Sequence, residues 1–362
     1  MSLENFQEIF NFPKAHADVI TTSHLIEDLD HEGTEQIFLV TCSKDNWIKL
    51  WDLDRKILLK SISKAHSCHY VTSSALYLPM TQTFRHRQTL VATVGGMQDL
   101  SIKVWSVWKQ KLLFMFPRAH KDLIKSIEFI ELQDNHTNSP FLISLSYDAT
   151  LKIWNLKKRC QILNLKLDII AESFVLFKSV NFSFKKGRWG IGVLDFQNPR
   201  LKIYEIRKRE PKNDVQGFYS YSNYDREMVI KSWNIANITY FGIAHRYGCV
   251  IWNYEGNYKI YEVENLKALF PGRIGSIFPP EQNKLHIFFT NDKMIYVIKF
   301  QILEYLLKFK KLKTLQSPCI ITDLQFFTCK NHFIQKNYLV KALNILSYNC
   351  LNVSYQAIED DL

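Results

Sequence analysis

A twelve-residue stretch occurs twice in this chain: IFNFPKAHADVI at 9–20 returns as LFMFPRAHKDLI at 113–124, an offset of 104 residues, and SKAHS at 63–67 supplies a third copy of its Ala-His element. Each copy is followed by an Asp that precedes a Trp by six positions: Asp45 and Trp51, Asp99 and Trp105, Asp148 and Trp154. A length of 362 residues would otherwise suggest two or three domains of about 150 residues each. Self-similarity at a fixed period instead points to one supersecondary unit used again and again.

Each unit reads as four short strands. In the first they fall at 19–25, 36–43, 47–53 and 57–62, with Ile48, Leu50 and Asp52 alternating against Trp47, Lys49 and Trp51. A four-stranded sheet of this size cannot bury both faces by itself, so it must stack on its neighbours. The chain has the material for that: 47% of its residues are hydrophobic and 14% aromatic, with only 12 glycines, a balance that favours β structure over disorder.

The first repeat offers His16, Ser43, Asp45 and Trp51-Asp52, and the third offers His120, Ser146, Asp148 and Trp154-Asn155. The second has His66, Asp99 and Trp105, with Met97 where the serine is expected. These spacings resemble the WD40 family. The resemblance implies a hydrogen-bonded tetrad inside each sheet, structural rather than catalytic. Beyond residue 160 the six-residue step continues through Asn198 to Tyr204, Arg246 to Trp252, Asp292 to Ile298 and Asn349 to Tyr355. The seven third-strand markers lie about 51 residues apart on average, above the usual WD40 period of about 40–45.

The fold expected is therefore all-β, a seven-bladed WD40-like β-propeller forming a single domain over residues 1–362, with blades at roughly 13–62, 63–116, 117–167, 168–222, 223–263, 264–315 and 316–358. Seven residues follow Tyr355, too few for an outer strand and its turn. The segment 6–12 precedes the first Ala-His as Leu112–Phe116 precedes the third, so it is expected to complete the last blade and close the ring.

Chemistry is harder to find. His66-Ser67-Cys68-His69 is the densest metal-like group, but no Cys-x-x-Cys or His-x-x-x-His completes a ligand set, so no metal and no cofactor are expected. Gly187-Arg188-Trp189-Gly190-Ile191-Gly192 has the wrong glycine intervals for a phosphate loop and reads as a turn and a tightly packed strand. The segment 302–315, ILEYLLKFKKLKTL, could be drawn as a basic amphipathic helix, but its alternation and the repeat period favour a strand. No nucleophile, base or paired carboxylates converge, so the chain is expected to be non-enzymatic.

Charge is more telling. Lys and Arg number 46 against 35 Asp and Glu, a net charge of +11 that favours an anionic partner. In an antiparallel meander the first-to-second and third-to-fourth strand loops share one face. That face is expected to carry Arg85, Arg87, Lys109, Lys157, Lys158, Arg159, Lys185, Lys186, Arg188, Arg207, Lys208, Arg209 and Lys212, with Phe84, Trp108 and Trp189 interleaved. Aromatic rings beside cations suit stacking on bases as well as docking on acidic protein. Seven scattered cysteines, an N-terminus without a signal-like apolar run and no long apolar stretch point to an unsecreted protein of cytoplasm or nucleus with reduced thiols. The function expected is a scaffold or adaptor subunit of a multiprotein complex. The alternative is an RNA-binding propeller in an RNA-processing complex.

Overall fold

Alternating apolar residues form extended strands throughout the computed structural model, which describes residues 7–12, 14–29, 35–67, 70–79, 88–134, 137–177, 190–195, 200–205, 211–216, 228–235, 238–245, 248–254, 258–263, 274–277, 284–291, 294–303, 306–316, 324–329, 340–346 and 351–357. β1 (Gln7–Phe12) is followed by β2 (Ile20–Leu29), β3 (Glu35–Ser43), β4 (Ile48–Asp52) and β5 (Ile57–Ile62). Next come β6 (Val71–Tyr77), β7 (Leu90–Gly95), β8 (Ile102–Ser106), β9 (Lys111–Phe116), then β10 (Ile124–Asp134), β11 (Thr137–Ser146), β12 (Thr150–Asn155) and β13 (Cys160–Lys166). The remainder comprises β14 (Ala171–Phe177), β15 (Gly190–Asp195), β16 (Arg200–Glu205), β17 (Pro211–Gln216), β18 (Val229–Ile235), β19 (Ile238–His245), β20 (Gly248–Asn253), β21 (Tyr258–Val263), β22 (Ile274–Ile277), β23 (Lys284–Asn291), β24 (Met294–Leu303), β25 (Leu306–Gln316), β26 (Leu324–Cys329), β27 (Val340–Leu346) and β28 (Leu351–Ala357).

Among the described residues these strands make seven four-stranded sheets. Six are meanders of consecutive strands, β2–β5 through β22–β25, called sheets one to six below, and the seventh has the order β1-β28-β27-β26. Within the segment 302–315, residues 302–303 end β24 and residues 306–315 belong to β25, and the two strands pair antiparallel. Among the described residues no helix is long and apolar enough to cross a membrane.

The pairing registers carry the repeat more faithfully than the sequence does. In sheets one to five a bulge between the third and fourth strands falls immediately before the aromatic marker: Leu50/Trp51, Val104/Trp105, Ile153/Trp154, Ile203/Tyr204 and Ile251/Trp252. In sheet six it falls between Lys299 and Phe300. Phe300, not Ile298, therefore occupies the aromatic position, two residues beyond where the six-residue step placed it. The extra residues lie in β24, which is 10 residues long against 5 for β4.

The chain divides into two compact units, one of Phe10–Asp168 with Leu346–Asn352, the other of Met1–Ile9, Ile169–Ile345 and Val353–Leu362. In the first, apolar clusters lie between adjacent sheets: Val40 and Leu50 of sheet one pack with Val91 and Trp105 of sheet two, and Val94 and Val104 pack with Leu142 and Trp154 of sheet three. The second unit repeats the arrangement, with Leu194 and Ile203 against Phe241 and Trp252, and Ile251 against Ile287 and Phe300. Each large side chain so buried contributes about 1.5–3 kcal/mol, and stacking is how a single sheet obtains it on both faces. The repeated Phe-Pro has a role here too, since Phe12 lies 4.7 Å from Trp51 and Phe116 lies 4.7 Å from Trp154, ring to ring. Gly192 of β15 fits a tight strand, because a Cβ there would stand 3.2 Å from Val175 Cγ1 and 3.3 Å from Leu201 Cδ1.

Candidate functional site

Among the described residues the strongest convergence of polar side chains lies in sheets one to three. Trp51 Nε1 donates to Thr41 Oγ1 at 2.9 Å, Thr41 Oγ1 stands 2.8 Å from His16 Nε2, and His16 Nδ1 stands 2.8 Å from Asp45 Oδ2. Sheet two repeats it with Trp105, Thr93, His66 and Asp99 at 2.9, 2.9 and 3.1 Å. Sheet three uses Trp154, Ser144, His120 and Asp148 at 2.9, 2.7 and 3.1 Å. Only one proton arrangement satisfies every group: indole N–H to hydroxyl oxygen, hydroxyl to Nε2, and Nδ1–H to carboxylate. A protonated imidazole would instead leave the hydroxyl accepting from both the indole and the imidazole.

The electrostatics agree. Burial holds all three imidazoles below their usual pKa of 6.5, partly offset by the neighbouring Asp, so they are neutral near pH 7. Burial alone would raise the three aspartates. Hydrogen bonds from the histidines and from backbone N–H groups outweigh it and hold Asp45, Asp99 and Asp148 below the usual carboxylate range.

The hydroxyl expected at Ser43 and Ser146 is instead Thr41 and Ser144, two residues earlier on the same face of the strand. Ser43 and Ser146 brace the turn: their Oγ atoms donate to the carbonyls of Asp18 and Asp122 and accept from the N–H of Asp45 and Asp148. Met97 is likewise not the missing serine, since Thr93 holds that position and Gly95-Gly96 lengthen the turn by two residues. Thr41→Val, which orphans His16 Nε2 and Trp51 Nε1, is expected to lower unfolding free energy by about 1–3 kcal/mol, whereas Ser43→Ala costs about 0.5–1.5 kcal/mol. Urea titration of both variants checks the order.

Sequence reading also missed a lysine. Lys49, Lys103 and Lys152, each two residues before the Trp, donate through Nζ to the carbonyls of Ala15, Ala65 and Ala119, the alanines of the Ala-His repeats. The signal was available in IKLW, IKVW and LKIW.

Sheets four to six replace the hydroxyl with an aliphatic residue. Tyr204, Trp252 and Phe300 pair with Ile191, Phe241 and Leu285, and the residues two further along, Val193, Ile243 and Ile287, are fully buried.

Of the basic candidates, Lys109, Lys157 and Lys158 are exposed in the third-to-fourth strand turns of sheets two and three. Arg159 is engaged, its guanidinium 5.2 Å from the Phe114 ring. Trp108 is half-buried against Phe38 and covered by Lys60, so it serves packing and does not present a free ring. Lys212 lies in β17, and Arg85, Arg87, Lys185, Lys186, Arg188, Arg207, Lys208, Arg209, Phe84 and Trp189 lie outside the described residues. Cys42, Cys160 and Cys249 are free thiols, and burial pushes Cys42 up to about 11.

Comparison with known proteins agrees with the geometry. The WD40 family (WD domain, G-beta repeat) matches residues 14–52 and 110–155. Human kinesin-like protein KIF21A is 28% identical over 131 residues, which is 35% of this chain and 7% of that protein. Human kinesin-like protein KIF21B is 27% identical over 126 residues, 34% of this chain and again 7% of the relative. Among solved structures, that of BBS1N in complex with ARL6DN, soaked with lead, superposes with a TM-score of 0.61 at 11% identity, covering 99% of this chain and 98% of that one. The chain thus carries WD40 repeats at residues 14–52 and 110–155, and its all-β fold is shared with a β-propeller.

Proposed function

We propose that the chain is a non-catalytic scaffold subunit of a multiprotein complex in the cytoplasm or nucleus, holding partners on the loops of a seven-bladed ring. The observation that carries this reading is the fate of the His–Asp pairs. Each imidazole is sealed from solvent, neutral and hydrogen-bonded through both ring nitrogens, so the groups that resemble acid–base chemistry are committed to holding loops in place. Loops so fixed form a rigid platform, and a WD40 fold supports protein interaction. The free thiols fit a reducing compartment.

The strand order β1-β28-β27-β26 supports closure of the ring by the N-terminal strand. Deleting residues 1–12 would then bare an edge of β28, and the truncated chain should aggregate on heating. Melting like the parent would refute closure.

The scaffold reading is tested by purifying the tagged full chain from native extract beside a Lys109→Glu, Lys158→Glu variant. Stoichiometric protein partners for the parent, some lost in the variant, support the reading. A chain recovered alone would sink it. RNA binding is the weaker reading, because Trp108, one of the three rings proposed to stack bases, is used for packing. A steep salt dependence of labelled RNA affinity, lost in the same variant, would revive it.

A further inference from the structure

The outermost strands of sheets one to three hold apolar side chains in solvent. Leu113 and Met115 of β9 are 37% and 50% exposed, and Ile57 and Leu58 of β5 and Ile162 of β13 are exposed as well. The bulge before each aromatic marker explains part of this. Trp105 pairs with Leu112 and Val104 with Phe114, so Leu113 opposes no residue of β8, and Ile162 stands between Leu163 and Gln161 in the same way. A bulge re-aims the extra side chain, and in these two strands it turns outward.

β9 differs from the other two strands. β5 has Lys60 within it, and its Ser61 carbonyl accepts a hydrogen bond from the Gln110 side chain at 2.8 Å, so its edge is partly covered. β13 mixes Gln161 and Asn164 among its apolar residues. β9 reads KLLFMF, with no charged or polar residue after Lys111. It is last in its sheet, paired with β8 on one side and, among the described residues, with no strand on the other. Edge strands are ordinarily blunted by charged side chains, because an apolar edge with unpaired N–H and C=O groups is a template for a further strand. β9 keeps the template.

Charge decides which kind of strand fits. Residues 106–116 and 155–166 contain Lys109, Lys111, Lys157, Lys158, Arg159 and Lys166 and no Asp or Glu. The Arg159 guanidinium lies 5.2 Å from the Phe114 ring, which brings the third-to-fourth strand turn of sheet three against this edge. A second copy of β9 would set cation against cation and destabilise the pair. A lipid surface suits the cations, but Leu113 and Met115 could enter it only by taking the backbone groups of an open sheet edge with them. We propose that an acidic, partly apolar segment of another protein adds to β9 as a fifth strand of sheet two. Its backbone pairs with the open edge, its apolar residues cover Leu113 and Met115, and its carboxylates meet the surrounding lysines and arginine. The inference rests on the scaffold reading and names how one partner is held.

The test is a phage-displayed library of random peptides panned on the full chain. Enriched peptides are expected to alternate apolar residues with Asp or Glu. Their affinity should fall about tenfold or more in the Leu113→Lys, Met115→Lys variant, with the melting temperature unchanged, and should equal the parent's in Ile57→Lys, Leu58→Lys. N-methylation of the peptide then reads strand pairing directly. Successive N–H groups of a strand point to opposite edges, so methyl groups at alternate positions should abolish binding and those between them should not. Failure to enrich such peptides, binding insensitive to the β9 variant, or methyl effects without that alternation overturns the proposal. So does binding of the chain to vesicles of equal phosphatidylcholine and phosphatidylserine that is lost in the same variant, since the edge would then be a lipid site. All of these outcomes leave the scaffold reading standing, which falls only if the chain is recovered from extract alone.

Discussion

Replacing Trp154 with alanine should lower the unfolding free energy by about 3–5 kcal/mol, the range for large aromatic-to-alanine changes in a packed interior. Three contacts disappear together. The ring is buried, lies 4.7 Å from Phe116 and 5.8 Å from the Lys152 ammonium, and its N–H donates to Ser144. Trp154→Phe keeps most of the packing and removes only the donor, so its loss should be about 0.5–1.5 kcal/mol plus a small cavity cost. Urea unfolding of both variants measures the difference. Equal stability of Trp154→Ala and the parent would contradict the geometry.

Acidification should destabilise the protein well before ordinary carboxylates titrate. The three tetrad histidines have folded pKa values depressed below 6.5, so below that pH the unfolded chain binds protons that the folded chain refuses. The unfolding free energy then falls with falling pH. Asp45, Asp99 and Asp148 act in the same direction from about pH 3.8 downward, because their folded values are lower than their unfolded ones. Stability should be fully present above about pH 6.5, decline from there toward pH 5, and decline again near pH 4. Unfolding at pH 7.5, 6 and 5 reads this directly, and His66→Gln should flatten the first decline. Stability that is level or rises from pH 7.5 to 5 would mean the imidazoles carry charge in the folded protein.

Much of this architecture is legible because strand periodicity and turn spacing are local. Third-strand markers at Trp51, Trp105, Trp154, Tyr204, Trp252 and Tyr355 all lie in third strands of a sheet. The Ile298 marker failed where β24 gained residues, since counting from a turn cannot detect an insertion and a bulge can. The sequence motif points to Ser43 and Ser146 while the histidines meet Thr41 and Ser144, for a related reason. A period of two places both hydroxyls of each strand on one face, and only the cross-strand register, which sets Thr41 and Ser144 two residues beyond the partners of Trp51 and Trp154, decides which one the histidine meets. Decay of the motif after residue 160 is a change of chemistry rather than of fold, with Val193, Ile243 and Ile287 filling by packing what the earlier sheets fill with hydrogen bonds.

The bonds from Asn46 to Ala65 and His66, and from Leu100 to Ala119, tie each turn to the loop that begins the next sheet. Each sheet therefore reports the state of its neighbour. In a linear array of repeats the strength of such nearest-neighbour coupling sets whether units open singly or as a block. Amide protons of β3, β7 and β11 should consequently exchange with deuterium at a common opening free energy, and Asn46→Ala should split off the first of them. Read this way, the tetrads and their turn links set the length over which a disturbance at one loop is felt along the row.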